Sequence, residues 1–361
     1  MKNPKKILII IQRSNGDVFL SSNLISILFE NYDSPKIDLL VNDDTISIAR
    51  LLPNINLIHQ FSYERKNNSR WTQERELLKK IFRKYDLSIN LTGSDRSVLY
   101  AILSSKKSIS AIEKNVRKSW WKKIFLNDYY YYSLDKHILL NNSESLSLLK
   151  LNSINIQRPI NISDEIMKNT KAKLSNLGIN DFIIFHPSAQ YQYKIYPRNL
   201  RNKLLKNLNE IGVPILITGS NNQIDLEIKQ EIPNEKNIIN FIGNTSLEEY
   251  FALSHLSLAY IGMDTLNMHI AASQNKRIFA VFGPTNVKMW SPWSNILQKA
   301  THQNSHIQTY GNVTLFQSSI PCSSCGVIGC GSNHNKDEFS YNIDPLDISN
   351  EVSKWYKETQ F

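Results

Sequence analysis

The chain has 361 residues, 41% of them hydrophobic, and its 42 Lys and Arg against 32 Asp and Glu give a formal net charge of +10. This apolar fraction excludes a disordered chain, and the length exceeds the usual single core and predicts two domains of ordinary size. The positive balance favours partners that carry phosphate, such as nucleotides, nucleic acid or an anionic membrane face.

The first half of the chain alternates apolar runs of strand length with stretches of helical periodicity. In the first helical stretch Leu20, Leu24 and Leu28 share one face, and Ser14-x-x-Asp17 ahead of it resembles a capping box. Strands that alternate with helices indicate a parallel, doubly wound sheet. The predicted strands are Lys6–Ile11, Ile37–Val41, Asn56–Phe61, Leu87–Leu91 and Ser108–Ala111.

The same alternation restarts after the weakly patterned stretch Leu151–Ser163, which predicts a second doubly wound domain. We therefore expect domains at 1–160 and 161–342, followed by a C-terminal helix within 343–361. That helix begins at Asp344-Pro345, a favourable cap and first-turn pair, and runs to Tyr356. The predicted strands of the second half are Phe182–His186, Pro214–Thr218, Ile238–Ile242, Leu256–Ile261 and Arg277–Phe282, with helices that begin near Arg198, Asn221, Ser246 and Thr265.

Residues that directly follow the predicted strands are the candidate site residues, because parallel sheets bind ligands at the carboxyl ends of their strands. In the second half these residues include many Ser and Thr at helix starts, where free amides and the helix dipole attract phosphate. The pattern predicts a nucleotide-diphosphate site, although helix-start Ser and Thr also serve as plain caps. The stretches concerned are His186–Ser188, Thr218–Ser220, Gly243–Leu247, Gly262–His269 and Phe282–Thr285.

Six stretches together resemble glycosyltransferase family 9, the bacterial heptosyltransferases of lipopolysaccharide inner-core assembly. They are "RSNGDVFLSSNL", "HPSAQYQYKIYP", "ITGS", "IGNTSLEEYFAL", "MDTLNMHIAAS" and "VFGPT", in the family's order and spacing over nearly the whole chain. The resemblance implies a GT-B fold: α/β, with two Rossmann-like doubly wound domains that face each other across a cleft. It further implies that the C-terminal helix crosses back to the N-terminal domain.

The activity that the resemblance implies is an inverting glycosyl transfer that needs neither a metal nor another cofactor. The N-terminal domain would bind the acceptor and the C-terminal domain the sugar nucleotide. The leading substrates are ADP-heptose as donor and an inner-core acceptor of lipopolysaccharide or lipooligosaccharide. The expected partners are thus a nucleotide sugar and a lipid-linked saccharide.

Individual site residues follow from matches to the family's motifs. Gly16-Asp17 matches a Gly-Asp after the first strand, which implies that Asp17 is the base that takes the acceptor proton; the alternative is a residue that only caps a helix. Lys194, in Lys194-Ile195-Tyr196-Pro197, matches the lysine that neutralises the departing diphosphate. The donor positions implied are Ser188, Gln223, Thr245, Asp264, Thr265, Leu266 and His269, and the expected acceptor positions are Arg13, Asn15, Gly16 and Arg96.

Leu266 departs from the family pattern, which usually has Gly at this position. A missing side chain lets backbone amides approach phosphate closely, so a leucine could crowd the diphosphate. The substitution favours a relative that uses another nucleotide sugar as an alternative. Two further alternatives are a sugar-nucleotide epimerase of similar two-domain shape and a non-catalytic protein that only binds the sugar nucleotide.

A cysteine cluster precedes the last helix, with the spacing Cys322-x-x-Cys325, Cys330 and His334. Three thiols and an imidazole suit a structural zinc site, and free or transiently oxidised thiols are the alternative. No catalytic metal is expected. The clustering of all three cysteines argues against a secreted protein built on disulfides.

The segment "EKNVRKSWWKKIFLNDYYYYS" mixes basic residues with Trp, Phe and Tyr. This composition suits the headgroup layer of an anionic membrane, or a phosphorylated saccharide, and the alternative is a solvated helix whose aromatic residues pack inward. No recognised nucleic-acid motif accompanies it, so no nucleic-acid partner is expected. Without a signal peptide or an apolar run of roughly 20 residues, the expected location is cytoplasmic, peripheral at the inner face of the cytoplasmic membrane.

Overall fold

The computed structural model describes residues 3–114, 117–152, 157–318 and 342–360. The chain divides into two compact units, Met1–Ile160 and Asn161–Phe361. Each unit contains a predominantly parallel sheet with its own buried core. Among the described residues, no helix combines the length and the apolar character that crossing a membrane requires.

The first unit contains a parallel six-stranded sheet in the order β3-β2-β1-β4-β5-β6. Its strands are β1 (Lys6–Ile11), β2 (Lys36–Asn42), β3 (Ile55–Phe61), β4 (Tyr85–Asn90), β5 (Ser105–Ile112) and β6 (Asp128–Tyr131). Its helices are α1 (Asn15–Leu20), α2 (Ser22–Asn31), α3 (Ile46–Ala49), α4 (Tyr63–Asn68), α5 (Arg70–Ile81), α6 (Asp95–Ser104), α7 (Trp120–Phe125) and α8 (Ile138–Leu148).

Strand β1 lies in the middle of the first sheet because both of its faces are apolar. Residues Ile7 to Ile10 are fully buried, and Ile7 pairs with Ile37 of β2 on one side and with Leu87 of β4 on the other. A continuous aliphatic run is typical of a parallel strand that helices cover on both faces. The predicted strands of this unit are confirmed, while β6 was not predicted.

The first predicted helix is in fact two. Helix α1 ends at Leu20 and α2 begins at Ser22, and the hydroxyl of the intervening Ser21 donates to the Val18 carbonyl at 2.7 Å. Serine hydroxyls compete for backbone groups in this way and interrupt helices. The break follows directly on the turn that carries Asp17.

The second unit contains a seven-stranded sheet in the order β12-β13-β11-β10-β7-β8-β9, parallel except for β12 against β13. Its strands are β7 (Ile183–His186), β8 (Ile215–Ile217), β9 (Ile238–Asn240), β10 (Ala259–Met263), β11 (Arg277–Phe282), β12 (Ile307–Tyr310) and β13 (Val313–Gln317). Its helices are α9 (Asp164–Asn176), α10 (Arg198–Asn209), α11 (Gln223–Glu231), α12 (Leu247–Leu256), α13 (Leu266–Ser273), α14 (Val287–Trp290) and α15 (Pro345–Thr359).

The predicted strand Leu256–Ile261 was placed too early. Helix α12 continues to Leu256, and strand β10 begins only at Ala259, after the C-cap Ser257. An apolar run at a helix–strand junction suits both elements, so its periodicity does not locate the boundary. The later start puts Gly262 and Met263 inside the strand and Asp264 directly after it.

Helix α15 belongs to the core of the second unit. Its predicted start is confirmed, since Asp344 accepts a hydrogen bond from the Leu346 amide at 2.9 Å and Pro345 occupies the first turn. Ile348 and Val352 are buried with the α10 core residues, and Asn207 of α10 donates to Ser349 at 3.3 Å. The predicted return of this helix to the N-terminal domain stays a prediction.

Candidate active site

Asp17 lies at the carboxyl end of β1, in the third position of helix α1. The predicted capping box is confirmed: Asp17 Oδ2 accepts from the Ser14 amide at 3.3 Å and from the Ser14 hydroxyl at 2.7 Å. Arg13 Nε lies 2.9 Å from Asp17 Oδ1, and the aspartate is 5% exposed. The carboxylate is therefore held in one orientation, with both oxygens engaged by the turn that carries it.

Arg13, one of the predicted acceptor residues, is the counter-ion of Asp17. Its guanidinium also lies over the Tyr132 ring, 5.0 Å from the centroid. Burial lowers the pKa of Arg13, but the neighbouring Asp17 and Tyr132 outweigh burial and raise it from its ordinary value. The first role that the structure assigns to Arg13 is to hold Asp17.

Arg96 begins a second cluster, one strand away, at the start of α6. Its guanidinium stacks on Phe61 at 3.7 Å from the ring centroid and donates to the Tyr63 hydroxyl at 3.4 Å. Arg96 Nε is buried and has no hydrogen-bond partner among the described residues, and the same holds for Asn15 Oδ1 in α1. A planar guanidinium held on an aromatic face suits a carboxylate or phosphate.

Lys194 and Asp264 form an ion pair in the second unit. Lys194 ends a short 3-10 turn at Gln192–Lys194, and its Nζ lies 3.0 Å from Asp264 Oδ2. Asp264 follows β10 directly and is largely buried, while Lys194 remains partly exposed. The pair places a cation beside the first turn of helix α13, at the strand ends where parallel sheets bind their ligands.

His269, on α13, lies near this ion pair and is buried. Burial lowers the pKa of His269 to about 4; the Asp264 carboxylate opposes this shift and the Lys194 cation adds to it. The imidazole is consequently neutral at neutral pH. It can offer one N–H to a ligand oxygen without adding a positive charge.

The remaining predicted donor residues follow neighbouring strands of the second sheet. Buried Ser188 follows β7, exposed Gln223 opens α11 after β8, and partly exposed Thr245 follows β9 just ahead of the capped start of α12. Thr265 is the N-cap of α13, and Leu266, partly exposed, is its first residue. Strands β10, β7, β8 and β9 are adjacent in the sheet, so these residues lie along one edge.

Sequence reasoning did not single out a buried polar cluster next to this edge. Asn267 Nδ2 lies 2.9 Å from His186 Nδ1, which is also 3.1 Å from the Thr218 hydroxyl. Burial lowers the pKa of His186 to about 4, against the opposing effects of Asp225 and of the Thr218 backbone, so this imidazole is neutral as well. The contacts tether the start of α13 to the ends of β7 and β8. In the sequence, the only indication of this cluster was that its residues follow predicted strands.

Asp225 orders the loop after β8. Its Oδ2 accepts from the Ser220 amide at 2.6 Å and from Asn222 Nδ2 at 3.0 Å. Gly219 packs so closely that an added Cβ would lie 3.1 Å from Asp225 Cγ. A side chain at position 219 would therefore require the Asp225 side chain to shift by a few tenths of an ångström.

Metal binding is found at none of these places. Within residues 3–114, 117–152, 157–318 and 342–360, no group of three or more His, Cys, Asp or Glu side chains is arranged to hold an ion. Cys322, Cys325, Cys330 and His334, the predicted zinc ligands, lie outside the described residues.

Two units with predominantly parallel, doubly wound sheets are the architecture of the GT-B fold. Solved structures establish the fold: a family 9 glycosyltransferase of Veillonella parvula has a TM-score of 0.78 at 18% identity, covering 98% of each chain. The E. coli ADP-heptose lipopolysaccharide heptosyltransferase II has a TM-score of 0.71 at 18% identity, covering 99% of this chain and all of that one.

The chain belongs to glycosyltransferase family 9 (heptosyltransferase), whose model matches residues 74–318. Lipopolysaccharide heptosyltransferase 3 of Escherichia coli (strain K12) is 28% identical, over 79% of this chain and 85% of that protein. Lipooligosaccharide heptosyltransferase 2 of Haemophilus influenzae is 25% identical, over 78% and 84%. The expected family, fold and enzyme class are thereby confirmed, and the protein is a glycosyltransferase.

Proposed function

We propose that this glycosyltransferase moves heptose from ADP-heptose to an inner-core acceptor of lipopolysaccharide or lipooligosaccharide, with inversion at the anomeric carbon and without a metal ion. The observation that carries the proposal is the Lys194–Asp264 pair at the carboxyl edge of the second sheet. Further support comes from the relatives of the chain, which are named as heptosyltransferases of lipopolysaccharide and lipooligosaccharide.

On the donor side, Lys194 turns from Asp264 to the diphosphate and neutralises the charge that grows as the nucleotide leaves. The amides in the first turn of α13 add partial positive charge there, and neutral His269 donates a hydrogen bond. A lysine and oriented amides together do the work that a divalent cation does elsewhere, so the reaction needs no metal.

On the acceptor side, Asp17 takes the proton of the acceptor hydroxyl. That oxygen forms a bond to the anomeric carbon as the bond from this carbon to the diphosphate oxygen breaks, and the nucleotide leaves as ADP. Arg13 and Ser14 hold the carboxylate in place, so capping the helix and accepting the proton are compatible roles of one residue. Asn15, Gly16 and Arg96 are proposed to bind the acceptor's polar and anionic groups.

The same mechanism with another nucleotide sugar is the second candidate. The observation that favours it is Leu266 at the first position of α13, where the family usually has Gly and where a side chain would crowd a diphosphate bound to the helix amides. A protein that binds the sugar nucleotide without turnover is the remaining alternative.

The acceptor's chemistry also suggests where the enzyme works. An inner-core acceptor is attached to lipid, so we propose that the protein acts in the cytoplasm as a peripheral protein at the inner face of the cytoplasmic membrane. The support is the excess of positive charge, +10 over the chain, which an anionic leaflet attracts.

Product analysis tests the proposal. The purified chain is incubated with ADP-heptose and an acceptor that lacks the heptose, with and without a chelator, and the product is identified by mass spectrometry and its anomeric configuration by NMR. We expect an inverted product, unaffected by the chelator. Release of ADP without an acceptor, or transfer from a different nucleotide sugar only, would overturn the heptosyl assignment.

The base assignment is tested with Asp17→Asn, which keeps the side-chain shape but accepts protons poorly. We expect kcat to fall by roughly 10²- to 10⁴-fold while ADP affinity stays the same. Asp44→Asn is the matched control, an exposed acid in the turn after the neighbouring strand β2. A kcat that survives the change at Asp17 would leave that residue as a helix cap only.

A further inference from the structure

Helix α7, near the β6 edge of the first sheet, presents three large apolar side chains to solvent. Trp120, Ile124 and Phe125 are 63%, 65% and 62% exposed, and we call them the α7 face. Trp120 and Ile124, four residues apart, are neighbours on one side of this short helix, and Phe125 is its last residue. Exposed apolar groups that are clustered in this way mark an interaction surface more often than scattered ones do.

The opposite side of α7 is fixed to the protein by a buried lysine. Lys122 is 1% exposed; its Nζ donates to the Gly93 carbonyl at 2.8 Å and pairs with Asp95 at 2.9 Å and Glu113 at 3.2 Å. Trp121 packs against the small core cluster of this region. Because these inward contacts hold the helix, we expect substitutions on the α7 face to leave the fold intact.

The charged residues of the segment that carries the α7 face are all basic. Residues 114–125 contain no Asp or Glu, and Asp95 and Glu113 balance Lys122 alone. Lys123 lies 5.5 Å from the centre of the exposed Tyr131 ring, which adds an aromatic group beside the face. The basic residues whose charge is left for a partner are Lys114, Arg117, Lys118 and Lys123, all exposed.

We infer that the α7 face docks on an anionic lipid bilayer, with Trp120, Ile124 and Phe125 in the headgroup layer and the basic residues on lipid phosphates. The inference rests on the membrane location proposed above and adds the element that makes the contact. Aromatic and aliphatic side chains ringed by lysines suit a membrane interface, where long basic side chains extend to the headgroups.

Two other occupants fit the α7 face less well. A nucleic acid stacks its bases on aromatic rings and gains nothing from the exposed Ile124. A stable protein interface covers about 800 Å² on each partner, far more than a helix of six residues offers. A fluid lipid surface needs only a shallow, charged and apolar contact.

The experiment measures co-sedimentation of the full chain with phosphatidylcholine vesicles that contain or lack phosphatidylglycerol. We expect binding only to the anionic vesicles, weakened by salt. The double variant Trp120→Ser/Phe125→Ser should lower the partition coefficient at least about tenfold. The double variant Lys118→Gln/Lys123→Gln should lower it roughly fivefold for each lysine removed. Trp71→Ser is the matched control, because Trp71 is 80% exposed on α5, where Glu74 and Glu76 accompany the basic residues.

Binding that is lost with the α7 variants and kept with Trp71→Ser supports the inference. Three results would overturn the inference: vesicle binding that is unchanged in the α7 variants, no binding to anionic vesicles, or a change of oligomeric state in the α7 variants. Transfer to a delipidated, water-soluble acceptor is measured in parallel and should be equal in all variants. An enzyme that binds vesicles but transfers no heptose would refute the proposed function and leave the docking face standing.

Discussion

At the scale of single residues, each of the two units has a charged side chain after a strand that is held by an opposite charge. Arg13 holds Asp17 in the first unit, and Asp264 holds Lys194 in the second. An ion pair keeps a long or reactive side chain in one position until a ligand replaces its partner. A diphosphate that approaches Lys194 competes directly with Asp264.

Lys194→Met tests that competition. We expect ADP affinity, measured by titration calorimetry, to fall about 10- to 100-fold, because a charged hydrogen bond is lost and the buried Asp264 carboxylate then faces the phosphates unneutralised. Lys203→Met, which removes an exposed lysine of α10, should bind ADP like the wild type. If both variants bind equally well, Lys194 has no part in the donor site.

We expect the stability of the folded protein to depend on pH through His269. Its pKa is about 4 in the folded state against the ordinary 6.5, so the unfolded chain binds more protons between those values and stability falls as pH falls from about 6.5 to 4. A shift of this size corresponds to about 3 kcal/mol.

The measurement is urea unfolding at pH 7 and at pH 4.5. In His269→Gln we expect the difference between the two unfolding free energies to shrink by about 2–3 kcal/mol, whereas His302→Gln, at an exposed site, should leave it unchanged. An unchanged difference in His269→Gln would mean that this imidazole is accessible to protons in the fold.

At the scale of elements, helix α13 carries several of the proposed donor residues. Its N-cap is Thr265, its second residue Asn267 contacts His186 of β7, and its fourth residue is His269. The helix is therefore fixed at its start by a polar contact rather than by a capping hydrogen bond from its own N-cap side chain. In the proposed function, the side chain at position 266 limits how closely a diphosphate approaches the amides of this first turn.

Replacing Leu266 changes that approach. We expect Leu266→Gly to bind ADP several-fold more tightly than the wild type and Leu266→Ala to fall between them, because removing the side chain opens the amides to phosphate. The glycine variant should lose no more than about 1 kcal/mol of stability. Thermal-shift titration with ADP-, UDP-, GDP- and CMP-sugars measures both quantities; equal affinities in all three proteins would show that Leu266 points away from the phosphates.

At the scale of the whole molecule, the chain contains two units, each with its own core, and the proposed donor residues all belong to the second. A ligand that binds one folded unit stabilises that unit first. At a concentration of 100 times Kd the gain is about 2.7 kcal/mol.

Hydrogen exchange locates this gain. With saturating ADP we expect added protection in the loops after β7, β8, β9 and β10 and none in residues 3–114. A chain without nucleotide but with the same phosphate concentration is the control. Protection that appears in the first unit instead would place the donor on the other half of the protein.

Local patterns in the sequence were enough to predict most of the strands, two helix starts and the protein family. Aliphatic runs and helical periodicity located nearly all the strands that flank the site, and Ser14-x-x-Asp17 and Asp344-Pro345 located two helix starts, because caps and strands are decided by neighbours in the chain. The motifs indicated the family before any fold was known. Lys194 and Asp264 were both candidates from their places after strands.

Only the tertiary structure decided which of these residues meet. The Asp17–Arg13 pair, the Lys194–Asp264 pair and the contact of His186 with Asn267 depend on side-chain orientation and on which strands are neighbours. Likewise, Lys122 is buried and Trp120 is exposed two positions away in the same helix, and the pairing of Lys122 with Asp95 and Glu113 accounts for its burial. Burial and pairing are properties of the assembled sheet, since they arise from residues far apart in the chain.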